Sequence, residues 1–242
     1  MNQFATDRLQ RIAFLTRQRR RKALSLVGSG EPLAEDLALF SSTSSPNSTI
    51  AKPAGLTVGM TLIAFVGVGS TAGTLSIPTG WSAATDFIVY DRANGRVFWR
   101  VVDGTEGASF TFGGAVDNGT GVALVALKGA NTTNPFRTLV FKGVASNTTL
   151  HDLAQVTFPA PPNTLRLAFA IGGWAGGFTY TPPASMVELL EFETTNTANN
   201  GCTMSLASQA NPGEGITPAN SRFVCSVGLH YVTFHADIQP AA

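Results

Sequence analysis

From about residue 49 onward, the sequence is a series of short apolar segments separated by turn residues, and this pattern constrains the fold more than any other feature. Leu165, Leu167, Phe169 and Ile171, for example, alternate with smaller or polar residues. Alternation with a period of two is typical of a β-strand that buries one face. About ten such segments, with no helical periodicity between them, predict an antiparallel β-sandwich.

Two of the segments are apolar on both faces. Both alternating sets of residues are apolar in 61–68, and 121–128 is almost continuously apolar. This composition is typical of strands buried on both faces, so we expect two central strands. Asn94-Gly95 predicts a hairpin turn, because the dipeptide favours the tight turns that join antiparallel strands. The hairpin would join strands over 81–90 and 96–102.

The number of strands favours a jelly roll over an immunoglobulin domain. The chain has 242 residues, of which 44% are hydrophobic, and it lacks the Cys-Trp-Cys spacing of immunoglobulin domains. The predicted fold class is therefore all-β, an antiparallel jelly-roll-like β-sandwich over residues 53–242. A basic helix and a flexible linker precede it. Thr138–Lys142 and Leu153–Phe158 are predicted to be outer strands of the sandwich.

Helical periodicity is confined to the N-terminus. Leu9, Ile12 and Leu15 recur at three-residue spacing within a predicted helix over 5–27, and glycines follow its end. We interpret residues 1–28 as a basic amphipathic anchoring helix. Residues 29–52 are rich in Ser, Gly and Pro, a composition that predicts a flexible linker.

The charge of the chain is divided unevenly between this helix and the rest. Residues 1–28 have seven basic residues against one acidic residue, a net charge of +6, whereas the remainder has nine against fourteen, a net charge of −5. The basic run is either a solvated charge cluster, an anchor for an acidic groove, or a site for nucleic acid or anionic lipid. Nucleic acid is disfavoured, since no aromatic ladder is interleaved. The candidate partner-binding residues are Arg8, Leu9, Arg11, Ile12, Leu15, Arg17, Arg19, Arg20, Arg21 and Lys22.

No motif in the sequence predicts a cofactor or metal. Residues 67–72 match a dinucleotide fingerprint, but the Gly and Pro residues that follow exclude the helix that this motif needs. His230 and His235 would face opposite sides of one strand. His151 lies in a predicted outer loop, so we expect all three histidines to be surface or partly buried residues without a metal. Residues Cys202 and Cys225 are expected to be buried free thiols, with a disulfide as the alternative.

Two other groups of residues suggest carbohydrate chemistry. Trp174, Phe178 and Tyr180 lie in a glycine-rich loop, where aromatic rings either stack on sugars or pack against the protein. Glu188, Glu191 and Glu193 lie close together, and Glu191 and Glu193 would share a strand face, as a glycosidase requires of its carboxylates. A charged strand edge that discourages edge-to-edge pairing explains them more simply. We therefore predict no catalytic residues and no enzyme activity. No segment has the ~20 apolar residues of a membrane span.

The central stretch resembles a family of jelly-roll domains found in virion proteins of tailed bacteriophages. The resemblance covers roughly residues 53–130 and lies in Gly55–Ala64, Ile77–Trp81, Val97–Val101 and Val122–Ala130. It implies a head fibre, capsid decoration or tail-fibre protein, often trimeric, without catalytic residues. Trp81 is expected to be a core residue rather than a ligand contact.

Together these patterns predict a bacteriophage virion structural protein on the particle surface. The N-terminal helix would bind capsid or tail proteins, and the sandwich would decorate the particle or contribute to host attachment through a surface glycan. The protein would assemble in the bacterial cytoplasm as a homo-oligomer, with a trimer favoured. The alternatives are a stand-alone carbohydrate-binding module and, less favoured, a glycoside hydrolase.

Overall fold

The computed structural model describes residues 37–69, 75–113, 119–156, 163–174, 178–194, 201–210, 212 and 221–241. The predicted N-terminal helix, with all of its candidate partner-binding residues, lies outside the described residues. So do residues 70–74, which follow Gly69.

The described residues form fourteen β-strands, which confirms the predicted all-β sandwich. The strands are β1 (Ala38–Ser45), β2 (Thr49–Ala51), β3 (Thr61–Val68), β4 (Ser82–Ala83), β5 (Ile88–Tyr90), β6 (Ala93–Val101), β7 (Ser109–Thr111), β8 (Thr120–Lys128), β9 (Phe136–Asp152), β10 (Leu165–Trp174), β11 (Tyr180–Thr181), β12 (Val187–Glu193), β13 (Gly201–Ala210) and β14 (Arg222–Ile238).

Two large antiparallel sheets make up the sandwich. The first has the order β1-β8-β3-β6-β4, with β5 also on β6, and the second has the order β11-β14-β10-β13-β12, with β9 also on β14. β2 and β7 form a separate pair. Each sheet is built from one half of the chain, whereas the Greek keys of a jelly roll place strands from both halves in each sheet. The observed strand order therefore differs from the predicted jelly roll.

The main core lies between the two sheets. Phe65 of β3 packs on Phe169 of β10 with 5.2 Å between ring centroids. Leu165, Leu167 and Ile171 join Phe169 in this core, so the predicted inward face of β10 is confirmed. Burial of these large side chains supplies most of the driving force that holds the sheets together.

A second core covers the other face of the first sheet. Trp81 is 6% exposed and contacts Phe110 and Phe112 edge-on, with ring centroids 5.2 and 4.9 Å away. Every residue of β3 and all but the last residue of β8 are buried. The prediction of two central strands buried on both faces is therefore confirmed, and so is the core position of Trp81.

The hairpin between β5 and β6 turns earlier than predicted. Tyr90 pairs with Ala93, so the turn is Asp91-Arg92 rather than Asn94-Gly95, and Asp91 has a φ of 54°. Asn94 lies within β6, where its side-chain oxygen accepts a hydrogen bond of 2.9 Å from the amide of Tyr90. The Asn side chain thus stabilises the turn from inside the strand instead of forming it.

The predicted linker is partly wrong, because strands β1 and β2 lie within residues 29–52. β1 pairs with β8 over its whole length. Without β1, the apolar strand β8 would be an exposed sheet edge, which proteins normally cover. The residues of 41–45 are half-buried, as expected of an edge strand, so the sheet begins by residue 38.

β9 pairs with β14 and folds back on itself, and it contains the predicted outer strand Thr138–Lys142. Of the second predicted outer strand, Leu153–Phe158, the structure describes residues 153–156, which follow β9 outside any strand. Ten extended residues would span about 33 Å. Yet the Oγ1 atom of Thr233 donates hydrogen bonds to the carbonyls of both Lys142 (3.3 Å) and Asp152 (2.7 Å). The end of β9 and the residues after it therefore lie over the outer face of the second sheet. We call residues 148–156 the strap.

Candidate functional site

The outer face of the second sheet holds most of the buried polar side chains of its half of the chain. Its floor consists of small residues, Ala168 and Ala170 of β10 and Ala207 of β13, which are all fully buried. Thr233 and His235 of β14 lie beside this floor and are also fully buried. Strands with such short side chains leave room for a covering layer, which Leu153 of the strap forms together with Tyr180, Met186, Phe223, Cys225 and Leu229.

One buried ion pair lies at the end of this face. The Nε and Nη2 atoms of Arg166 donate to the two carboxylate oxygens of Asp237 at 2.7 and 3.0 Å. Both side chains are 5% exposed or less. The two parallel hydrogen bonds match the fork of the guanidinium, which compensates the cost of removing both charges from water.

His151 connects the strap to the sheet below. Its Nε2–H donates to the carbonyl of Thr148 at 3.0 Å, and its Nδ1 accepts the hydroxyl proton of Tyr180 at 3.1 Å. Its ring stacks on Tyr231 with 4.4 Å between centroids. Burial lowers the pKa of His151 to about 4, so the ring is neutral at pH 7.

His235 holds the strap at a second point. Its Nδ1–H donates to the carbonyl of Ala154 at 3.2 Å, whereas the buried Nε2 has no hydrogen-bond partner among the described residues. Burial is the main cause that lowers the pKa of His235, and the nearby positive charge of Arg166 adds to the effect. The hydrogen bond to Ala154 and the charge of Asp237 oppose it.

Further hydrogen bonds fix the strap between the two histidines. The amide of Asp152 donates to the hydroxyl of Tyr231 at 3.2 Å, and the amide of Leu153 donates to the carbonyl of Ser221 at 3.0 Å. Leu153 and Val156 of the strap are buried. The strap therefore has both polar and apolar attachments to the second sheet and its surroundings.

The three carboxylates of β12 also lie on this outer face. A bulge between Glu188 and Leu190 shifts the register, so Glu188, Glu191 and Glu193 lie opposite Ala207, Ser205 and Thr203. The predicted shared face of Glu191 and Glu193 is confirmed, and the bulge adds Glu188, which sequence alternation alone would place on the other side.

Glu188 and Glu191 accept hydrogen bonds from neighbouring groups of the protein. Ser205 donates from its Oγ to Glu188 at 3.0 Å, and the amide of Tyr180 donates to Glu191 at 2.5 Å. Burial is the main cause that raises the pKa of Glu191, and the charge of Glu188 adds to it. The hydrogen bond from Tyr180 opposes that rise. Glu188, Glu191 and Glu193 are all exposed at their strand edge.

The predicted aromatic loop does not present three rings together. Tyr180 is 5% exposed and contacts Phe223 edge-on at 5.9 Å, within the outer core layer. Phe178 is half-buried against the same layer. Trp174 ends β10, and its side chain lies outside the described part of the structure. Tyr180 thus belongs to the core, because the folded-back end of β9 covers it.

The histidines are distributed differently from the prediction. His151 and His235 are fully buried, and only the folding back of β9 explains this, since sequence placed His151 in an outer loop. His230 faces the opposite side of β14 from His235, as predicted, and its Nδ1 lies 3.0 Å from the carboxylate of Asp91. Within the described residues, no three His, Cys, Asp or Glu side chains are grouped to hold a metal ion.

The two cysteines are free and buried, as predicted. Cys202 lies in the core between the sheets, whereas Cys225 lies in the outer layer of the second sheet. Their positions on opposite faces exclude a disulfide without rearrangement. Burial raises the pKa of Cys202 to about 12, which keeps its thiol protonated and unreactive.

Comparison with protein-family models found no matching family. The comparisons with curated proteins and with solved structures also found no match. In the part of the chain that the structure describes, no helix is long and apolar enough to cross a membrane.

Proposed function

We propose that this chain is a structural protein of a bacteriophage virion, displayed on the particle surface as a capsid decoration, head-fibre or tail-fibre-like subunit. The observation that carries the proposal is the separation of charge, with +6 in residues 1–28 and −5 in the remainder. A basic N-terminal helix attached to a mildly acidic sandwich suits a subunit whose one end binds an acidic surface of the particle.

The surface of the sandwich supports a role in subunit contacts. Only 13% of the chain is charged, and some of these residues are used internally. Arg166 pairs with Asp237, and Arg100 pairs with Glu106 at 2.9 Å with side chains 7% and 2% exposed. The remaining surface is poorer in charge than the composition suggests, and depletion of charge is characteristic of the centre of protein interfaces. Following the family resemblance, we expect a homotrimer.

Deletion of residues 1–28 tests the anchor. We expect the shortened chain to retain the β-sheet circular dichroism and the cooperative unfolding of the full chain, because the sandwich begins at β1. It should not be incorporated into particles that are produced in the same bacterial host and purified on a density gradient. Normal incorporation of the folded, shortened chain would refute the anchor.

A matched pair of variants distinguishes the contribution of positive charge in the basic run from that of the shape of its side chains. Replacing Arg17, Arg19, Arg20, Arg21 and Lys22 by Gln removes five charges, whereas exchanging Arg for Lys and Lys for Arg at the same positions keeps all five. We expect the first variant to lose incorporation and the second to retain it, if the partner is an acidic protein groove that requires charge. Equal loss in both variants would indicate that guanidinium geometry is required. The partner would instead be lipid or nucleic acid if the full chain binds anionic vesicles or duplex DNA and the loss of the five charges does not reduce incorporation into particles.

One observation favours a second candidate, a glycoside hydrolase at the carboxylates of β12. Glu188, Glu191 and Glu193 share one face, and burial raises the pKa of Glu191, as a general acid requires. Hydrolysis of a panel of bacterial surface glycans by the purified chain, abolished when all three are changed to Gln, would establish it. No hydrolysis by the full chain would leave these residues as a charged sheet edge.

A further inference from the structure

The strap is held on the second sheet by backbone pairing of residues 148–152 with residues 222–229 of β14 and by two neutral histidines, one of which, His151, lies in the strap itself. His151 already uses both ring nitrogens, with Nε2–H on Thr148 and Nδ1 on the hydroxyl of Tyr180. His235 uses Nδ1–H on Ala154, and its bare Nε2 is buried with no hydrogen-bond partner among the described residues. Both rings are fully buried, so the ring nitrogens of His151 and His235 have no contact with water while the strap is in place.

The charged groups that face these rings cannot compensate an imidazolium. Asp152, beside His151, is already paired with Lys142 at 2.8 Å and with Arg222 at 3.4 Å. Tyr180 and Tyr231, which contact the same ring, are neutral at physiological and acid pH. A proton on either ring would therefore add a buried charge that no free carboxylate balances.

The surroundings of His235 are similar. Asp237 is fully engaged by Arg166 through two hydrogen bonds, and the guanidinium itself repels a second positive charge. The simplest relief is for the strap to leave the sheet, because both imidazolium rings would then be solvated. The core between the two sheets contains neither ring, and it does not depend on the strap.

We propose that His151 and His235 form an acid-operated release for the strap. On acidification, residues 148–156 detach from the second sheet, which opens their pairing with residues 222–229 of β14, while the core between the two sheets stays folded. The proton taken up at each ring is the only chemical change, and a return to neutral pH restores the strap. This inference is independent of the virion function proposed above.

Hydrogen exchange of the full chain at about pH 7.5 and about pH 5, corrected for intrinsic rates, tests the proposal. With pKa values of about 4 when the strap is bound and 6.5 when it is open, His151 alone lowers the protection of strap amides about thirtyfold at the lower pH. His235 increases this change further. Amides of β3 and β8, in the main core, should keep their protection. A uniform loss across all strands, or no change in the strap, would overturn the proposal.

Variants at two of the three histidines of the chain, His235 and His230, assign the effect. His235→Asn keeps a side-chain N–H donor but cannot take up a proton, so the acid response of the strap should become weaker. His230→Asn, on the opposite face of β14, is the matched control and should respond like the natural chain. An unchanged response in His235→Asn, or a lost response in His230→Asn, contradicts the assignment.

A measurement on the natural chain covers the case in which a variant does not fold. The imidazole NMR signals of His151 and His235 should titrate together with the strap amide signals, since protonation and release are one event. Titration of both rings without any change in the strap amides would show that the buried rings accept protons in place, which rejects the release.

Discussion

The ion pair between Arg166 and Asp237 allows a quantitative test of how the outer face of the second sheet is stabilised. Asp237→Asn keeps the shape of the side chain but removes its charge and turns one acceptor into a donor. That donor faces the guanidinium, which is left buried without its partner. Breaking a buried pair on one side costs about 3–5 kcal/mol, whereas exchanging the whole pair for apolar residues is often nearly neutral. We therefore expect Asp237→Asn to lower the free energy of unfolding by about 4 kcal/mol.

Urea unfolding followed by circular dichroism measures this change, with a double-mutant cycle to isolate the pair. The cycle consists of Arg166→Met, Asp237→Leu and the double variant that carries both. The double variant should regain most of the free energy of unfolding that either of these single variants loses. Lys142→Gln is the exposed control on the same face, because Lys142 and Asp152 are 43% and 30% exposed, and it should cost less than about 1 kcal/mol. A loss below about 1 kcal/mol in Asp237→Asn, or additive losses in the double variant, would refute the reasoning.

Two further predictions concern close packing and burial. A Cβ atom at Gly173 would overlap the backbone carbonyl of Arg92, so Gly173→Ala should lower the free energy of unfolding by more than about 2 kcal/mol in urea unfolding, whereas Gly107→Ala, with its nearest atom 3.8 Å away, should cost less than about 1 kcal/mol. Equal effects would show that the β5–β6 turn shifts freely. Cys202 and Cys225 should react with a thiol reagent only in denaturant, and rapid reaction of either thiol in the folded protein would contradict their burial.

A strand could be predicted wherever the apolar pattern within the segment itself indicates it. Residues 61–68 were predicted as a strand buried on both faces, and the structure has β3 at Thr61–Val68 with every residue buried. Hydrophobic periodicity suffices here, because a strand buried on both faces has an apolar sequence whatever its partners are.

The candidate site was less predictable, because it depends on how distant segments meet. His151 was predicted in an outer loop, yet it is buried against Tyr180 and Tyr231. Glu188 joins Glu191 and Glu193 on one face of β12 because of a bulge, which leaves no alternation signal in the sequence. Tyr180 lies in a loop whose aromatic rings either stack on sugars or pack against the protein, and the folded-back end of β9 covers it.

By itself, the sequence determined the all-β class, most of the strands, the core position of Trp81 and the contrast between a basic N-terminus and an acidic body. These properties follow from local periodicity and from counts of charge, which do not depend on the partner of a strand. Only the tertiary structure decided the strand order of the two sheets, the edge strand within the Ser-rich segment, and the burial of His151 of the strap and His235 of β14. These features arise from contacts between segments far apart in the chain, and short-range patterns carry no information about which distant segments pair.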